Sequence, residues 1–184
     1  MFVSFRKWRE EDAEALAFYA NDADVSRYMR DSFSYPYTKE SAVDFIRIRR
    51  EYEGRDCFFA VEYDGEAIGG ANVGFRTDVN CRTAGIGYWL GKRYWGRGIG
   101  SQIVKMLCAE AFSRPEILRV DAEIVRENEG SRRVLEKNGF RLEGILRKNI
   151  CKRGEILDSC VYSLLREEYE SMKGRKNSET GVGV

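Results

Sequence analysis

Histidine is absent from all 184 residues. That absence removes the imidazole base of Ser-His-Asp and Cys-His nucleophilic machinery and the commonest ligand of catalytic zinc. Proton transfer in this protein must run through other groups. The five cysteines, Cys57, Cys81, Cys108, Cys151 and Cys160, are odd in number and scattered. They form no CxxC pair, which argues against a zinc site or a disulfide framework, and no metal is expected. No apolar run approaches the roughly 20 residues that cross a bilayer. The polar opening MFVSFRKWREED is unlike a secretory signal, so the expectation is a cytoplasmic chain with no membrane partner. Neither charge dominates, since 31 Lys and Arg face 30 Asp and Glu. Nothing global draws the chain to nucleic acid, and any anion site has to be built locally.

What is present reads as an ordinary globular protein, 43% hydrophobic and 33% charged, of a length that suits one domain. Phe2 to Arg6 suits a short strand. Glu11 and Asp12 then place negative charge at the start of an amphipathic stretch carrying Leu16 and Tyr19. The turn-rich aromatic segment from Asp31 to Tyr37 separates this helix from a second, led in by Thr38 and ending near Gly54. Cys57–Tyr63 and Glu66–Phe75 are β-rich runs on either side of Asp64-Gly65, a hairpin turn in which both residues tolerate positive φ. Ala84 to Leu90 reads as a further strand. Past Gly98, apolar residues Ile99, Ile103, Met106, Leu107 and Ala111 recur at helical spacing, and Pro115 closes the element. Val120–Val125 reads as a strand and Asn128–Asn138 as a helix stopped by Gly139. A strand from Phe140 returns through Arg153-Gly154 to Ile156–Leu165. Residues 1–172 are expected to form the single domain and residues 173–184 a disordered tail.

Two segments carry chemistry. From Gly87 to Ser101 a strand runs through a loop into a helix, with Gly96, Gly98 and Gly100 at alternate positions. The first N–H groups of a helix lack internal partners and sit at the positive end of its dipole. Glycine lets a diphosphate approach them without a Cβ in the way, and Arg97 can add charge. A glycine-rich turn before an ordinary core helix would look the same. Walker and Rossmann phosphate motifs both fail here: Gly100 is followed by Ser101-Gln102 rather than Lys-Ser/Thr, and Ile103 stands where a third Rossmann glycine belongs. The second segment runs from Arg126 to Phe140. Capping alone can explain its Asn128, Glu129 and Gly139, but not why this helix too begins just after a strand end.

Trp95-Gly96-Arg97-Gly98-Ile99-Gly100 resembles the pyrophosphate-binding signature of the GNAT acetyltransferases, with Trp95 where the pattern has Gln or Arg. Asn128-Glu129-Gly130-Ser131 with Gly139-Phe140 resembles a second signature, that of the branch containing the bacterial ribosomal-protein N-terminal acetyltransferases. The resemblance covers nearly the whole chain. It implies the α/β (α+β type) GNAT fold: a mixed, mostly antiparallel sheet with flanking helices, split into a V that binds acetyl-CoA. Carried over residue by residue, the backbones of Trp89 and Leu90 would hold the pantetheine and Arg97, Gly98, Gly100 and Ser101 the diphosphate. Asn128 would reach the pantetheine arm from the other side. The implied partners are acetyl-CoA and an amine acceptor, with a protein N-terminus leading and a polyamine or other small amine, or a non-catalytic acyl-CoA sensor, as alternatives. The implied assembly is a monomer or homodimer.

In this family the amine attacks the thioester directly, which requires a neutral amine, an oxyanion donor and a proton for the departing thiolate. Ser131 is the expected proton donor, since Phe140 cannot donate; its alternative role is in the first turn of the helix. Glu123 and Glu62 could relay the amine's proton through water, or could simply face solvent. An α-amine with pKa near 7.7–8.0 is substantially neutral at physiological pH, whereas a lysine near 10.4 must give up about 3 units, roughly 4 kcal/mol. Tyr28, Met29, Phe33, Tyr35 and Tyr37 form the expected substrate loop, or else pack on the sheet.

Overall fold

The computed structural model describes residues 2–179, with side chains through Gly174. Strand β1 (Val3–Arg6) leads into α1 (Ala13–Ala20), the short α2 (Ala23–Arg27) and α3 (Lys39–Arg50). Next come β2 (Cys57–Tyr63), β3 (Glu66–Phe75), β4 (Thr83–Leu90) and α4 (Ile99–Phe112). They are followed by β5 (Arg119–Val125), α5 (Glu129–Lys137), β6 (Arg141–Lys152), β7 (Glu155–Leu165) and α6 (Arg166–Glu179). The seven strands form one sheet in the order β1-β2-β3-β4-β5-β7-β6. Every pairing is antiparallel except β4 with β5. No described helix is long and apolar enough to cross a membrane.

Local chemistry accounts for most of the elements. Asp64 (φ 50°) and Gly65 (φ 85°) both occupy the left-handed region at the β2–β3 turn, and Arg153 (φ 51°) with Gly154 (φ 84°) repeats this at the β6–β7 turn. Thr38 caps α3 by accepting from the Ser41 N–H at 3.2 Å. The helix α2 is an addition to the two N-terminal helices expected. Asp22 nucleates it by accepting from the N–H groups of Asp24 and Val25 at 2.8 and 3.3 Å, a cap that hydrophobic spacing does not reveal in a five-residue element.

The helices lie on both faces of the sheet. Side chains alternate along β4, so Trp89 points to one face, where Phe33 meets it edge-on at 5.5 Å. Tyr88 points to the other, under α4. That helix buries Ile99, Ile103, Val104, Leu107, Cys108, Ala111 and Phe112 along one stripe. Burying each large member of the stripe is worth about 1.5–3 kcal/mol, which pins the helix start over the end of β4. Cys108 lies within this core, and burial pushes its thiol up to about 12.

Residues 173–179, the first part of the expected tail, continue α6. Glu167 and Glu168 suit its first turn, and its start is anchored to the body. Tyr169 stacks on Phe112 at 4.8 Å, while Arg166 donates to the carbonyls of Ile117, Phe112 and Arg114 at 2.8, 3.1 and 2.6 Å. The rest of that expectation, residues 180–184, lies outside the described residues.

Candidate active site

The β4–β5 pairing lasts for only three residue pairs, Thr83 with Arg119, Ala84 with Val120 and Gly85 with Asp121. Beyond these the two strands part. The hydrogen-bond alternation decides which backbone groups face the gap. The Arg76 N–H donates to the Thr83 carbonyl at 3.1 Å and the Gly91 N–H to the Ile68 carbonyl at 2.9 Å, with an unbroken register between them. The odd-numbered residues of β4 therefore bond to β3, and Tyr88 and Leu90 turn their polar groups toward the gap. On β5, the Arg126 N–H donates to Asp158 at 3.0 Å and the Arg166 N–H to Leu118 at 2.9 Å. The even-numbered residues there are thus tied to β7, and the Glu123 backbone faces the gap. The result is a wedge whose two walls offer strand backbone with no partner strand.

This register corrects one expectation. Trp89 is paired with Gly70, so its backbone serves β3, and the residue is 8% exposed, with Phe33 packed edge-on against its ring. Tyr88 takes its place beside Leu90. The Leu90 carbonyl accepts from the Trp95 indole N–H at 2.7 Å, leaving the Leu90 N–H for the gap. Trp95 thus spends its polar group folding the glycine loop back onto the strand end.

At that loop Gly96 (φ 72°) and Gly98 (φ 77°) are both left-handed, and a Cβ on either would meet nothing within 4 Å. Successive N–H groups therefore curve around open space at the start of α4, an anion-binding geometry. Gly100 differs: its Cβ would sit 3.4 Å from Val134 and 3.7 Å from the Tyr88 ring, ordinary van der Waals distances that mark where α4, α5 and β4 converge. Arg97 is exposed, with its guanidinium 5.8 Å from the centre of the Tyr94 ring. The Ser101 hydroxyl accepts from the Asn138 amide at 3.0 Å, and the same amide donates to the Val134 carbonyl at 2.8 Å. Asn138, read from sequence only as the end of a helix, clamps α5 to α4.

Across the gap Asn128 caps α5, its side-chain oxygen accepting from the Ser131 N–H at 3.1 Å. Capping is thus one role of Asn128, and its amide NH₂ has no partner among the described residues. The Tyr88 phenol lies beside the start of α4, its hydroxyl 3.8 Å from where a Cβ on Gly100 would sit. Burial raises the pKa of that phenol, and Ser131 partly offsets the rise. Tyr88 was missed in the sequence; the available signal was an ionisable group in the strand that feeds the glycine loop.

On the opposite face, the Glu123 carboxylate accepts from Ser159 at 2.7 Å and Asn149 at 2.5 Å. It lines a groove of about 380 Å³ with Arg76, Asn80, Thr83, Arg119 and Asp121. Asp121 is 7% exposed and held by Arg76 at 2.8 Å. Its pKa is nonetheless raised, because burial outweighs the nearby arginines. Glu62 is not at the site. It is bound to Arg6 on the β1–β2 side of the sheet, which ends its candidacy as a proton relay.

The aromatic loop bridges the mouth of the gap. The Tyr28 hydroxyl reaches the Glu127 carbonyl at 3.5 Å, and Phe33 packs on Trp89 and Tyr37. Tyr35 lies under Arg153, whose guanidinium is 5.1 Å from the ring centre. Arg153 also donates to Ser26 at 2.7 Å, and Lys152 pairs with Asp31 at 2.7 Å. Met29 and Tyr37 belong to the packing instead, since both lie against the core and Tyr37 is buried.

The model of the acetyltransferase (GNAT) domain family matches residues 3–141. An uncharacterised N-acetyltransferase, p20 of Bacillus licheniformis, is 33% identical over 172 residues, 91% of this chain and 94% of that protein. YdaF of Bacillus subtilis, provisionally named a ribosomal N-acetyltransferase, is 38% identical over 177 residues, 93% of this chain and 95% of its own length. Among solved structures, Mycobacterium smegmatis RimJ in complex with CoA-disulfide superposes with a TM-score of 0.79 at 28% identity. That match covers 90% of this chain and 83% of RimJ.

Proposed function

The chain belongs to the GNAT acetyltransferase family and is an acetyl-CoA-dependent N-acetyltransferase; from that membership we propose that its acceptor is the α-amine of a protein N-terminus, of the ribosomal-protein type. The observation that carries the reading is the wedge between β4 and β5, opening directly onto the left-handed glycines at the start of α4. The name of YdaF and the match to Asn-x-x-Ser in α5 support the acceptor class.

The residues present fit acetyl-CoA. Open space surrounds Gly96 and Gly98, so the N–H groups there, with Arg97, Gly100 and the Ser101 hydroxyl nearby, would hold the diphosphate. Tyr88 and Leu90 on one wall and Glu123 on the other would pair their backbone groups with the amides of the pantetheine, as a third strand would. Asn128 would add its free NH₂. The Leu90 N–H is placed as the oxyanion donor, because it faces the gap and its own carbonyl is already taken by Trp95.

The acceptor enters from the opposite face, along the groove that Glu123 lines and beneath the loop carrying Tyr28, Phe33 and Tyr35. An α-amine arrives largely neutral, so the Glu123 carboxylate needs only to take up the proton released after attack, directly or through water. The Ser131 hydroxyl, on the cofactor side, protonates the leaving sulfur.

The test is free-thiol release from acetyl-CoA by the purified protein, with N-terminal peptides, lysine peptides, polyamines and small amines as acceptors. The reading expects turnover on peptides with a free α-amine. It is lost if the only active acceptors are polyamines or other small amines.

A further inference from the structure

We propose that Asn72 positions the acceptor: its carboxamide oxygen and the Glu123 carboxylate, from opposite walls of the gap, hold the two N–H groups of a primary amine and leave its lone pair aimed at the thioester. This anchor rests on the acceptor site read above at Glu123, and it narrows the acceptor to primary amines.

Asn72 on β3 is paired with Gly87 on β4, and its side chain leans over that neighbour. A Cβ on Gly87 would be only 2.7 Å from the Asn72 side-chain oxygen, too close for two packed atoms, so the amide occupies space that any other residue at 87 would fill. A glycine inside a strand weakens it and marks a close approach; here the approaching group is a carboxamide. The last β4–β5 pair is Gly85 with Asp121, and Gly87 and Glu123 each lie two residues further on, where the strands have parted. A Cβ on Gly85 would sit 3.5 Å from the Asp121 carboxylate. The Asp121 side chain, and with it that of Glu123, therefore projects on the face of Gly85, Gly87 and the Asn72 amide. Asn72, Gly87 and Glu123 form one row across the sheet, with the gap between the last two. Both flanking groups have capacity left. The Asn72 side chain is half-buried and has no hydrogen-bond partner among the described residues. Asn149 and Ser159 donate to one and the same oxygen of Glu123, and the other oxygen has no partner among the described residues. A half-buried amide left unpaired costs stability, and a ligand with N–H groups relieves it.

A neutral primary amine carries two N–H groups and one lone pair at tetrahedral angles. With one N–H on the Asn72 oxygen and the other on the free Glu123 oxygen, the lone pair points between the two walls. Attack forms the nitrogen–carbon bond; collapse of the adduct re-forms the carbonyl and breaks the carbon–sulfur bond, whose electron pair leaves with sulfur. One held proton passes to Glu123, the other stays on the product amide, and the thiolate is protonated from the Ser131 side. An uncharged amide suits this place. A second carboxylate at 72 would favour the unreactive ammonium form of the acceptor, whereas Asn72 orients the neutral form without doing so. A secondary amine, such as an N-terminal proline or an N-methylated residue, brings a single N–H and leaves one of the two anchors facing carbon.

The variants are Asn72→Ala, Gly87→Ala and the double variant, each checked for folding and for acetyl-CoA affinity. Thiol release is followed with a short peptide bearing a free amino-terminal serine and with the same peptide N-methylated. Asn72→Ala is expected to lower kcat/KM for the primary amine roughly 5- to 30-fold, the effect of one hydrogen bond, with acetyl-CoA affinity changed less than about twofold. The N-methylated peptide should lose less than about twofold, so that selectivity for the primary amine shrinks; a purely structural role would slow both alike. Gly87 is not left-handed, so alanine fits its backbone and displaces the amide. Gly87→Ala should therefore match Asn72→Ala, and the double variant should be no slower than either. Wild-type kcat/KM in Asn72→Ala, equal losses on the two peptides, or additive losses in the double variant each overturns the positioning role. If peptides are inert and a polyamine turns over, the α-amine reading is lost, and the same comparison on the polyamine and its N-methyl derivative still decides the role of Asn72. Silence with every primary amine overturns both.

Discussion

The amide of Asn138 donates 3.0 Å to the hydroxyl of Ser101, joining the last turn of α5 to the first turn of α4. Both helices start at the ends of strands that have parted company, so nothing in the sheet ladder fixes the distance between them at that depth. Asn138 does so, its amide also bound to the Val134 carbonyl. Asn138→Ala should lower stability by about 1–2 kcal/mol, the usual cost of losing a partly buried bridging amide. It should also weaken acetyl-CoA binding several-fold. Denaturant unfolding and calorimetric titration measure the two effects separately.

Gly98 combines a left-handed backbone with open space around its Cα. Gly98→Asp places a carboxylate in the anion cradle and strains the backbone at the same residue. Acetyl-CoA affinity should fall by at least tenfold while the fold is kept. Equilibrium dialysis with labelled acetyl-CoA checks this, and unchanged affinity would mean that the diphosphate lies elsewhere.

The loop over the gap is held at the β6–β7 turn by Arg153, which bonds Ser26 and covers Tyr35. Arg153→Ala releases both contacts without touching either wall of the wedge. The KM for the acceptor should rise roughly three- to tenfold, in line with the loss of one hydrogen bond and one cation–π contact. The dissociation constant for acetyl-CoA should stay the same. A matched rise in both constants would show that the loop serves donor and acceptor alike.

Glu143 is held at about 2 by hydrogen bonds from Arg119 and Ser163, well below its ordinary value of 4.5. A carboxylate depressed in the folded state contributes stability that is fully present above about pH 4.5. That contribution fades as pH falls toward 2, because the unfolded chain takes up the proton first. Glu143→Gln should therefore flatten the loss of stability over that window. Urea midpoints measured from pH 5 down to pH 2.5 should converge for the variant and the wild type; parallel curves would contradict the assignment.

Much of the fold was legible because the signals were local. Asp64-Gly65 marked a turn with two left-handed residues, and the stripe from Ile99 to Ala111 marked a helix with one buried face. Alternate glycines before that helix marked a backbone meant to be approached. The site was less legible where it depends on register. Trp89 and Tyr88 are neighbours in sequence, and only the pairing of Gly70 with Trp89 decides that Tyr88, not Trp89, turns its backbone to the gap. Glu62 and Glu123 looked alike as strand carboxylates until the sheet order put one beside Arg6 and the other beside Ser159 and Asn149.

The sequence by itself determined the family, the two phosphate- and serine-bearing segments and an absence of histidine that leaves hydroxyls and carboxylates to move protons. Each of these is carried by residue identity and short spacing, which the chain displays without folding. The tertiary structure alone decided that β4 and β5 separate after Gly85 and Asp121, and that the Tyr88 ring comes to lie against the start of α4. Those relationships depend on ladder parity and on helices converging over a sheet. Both are set by long-range packing and hydrogen bonding, which no short stretch of sequence records.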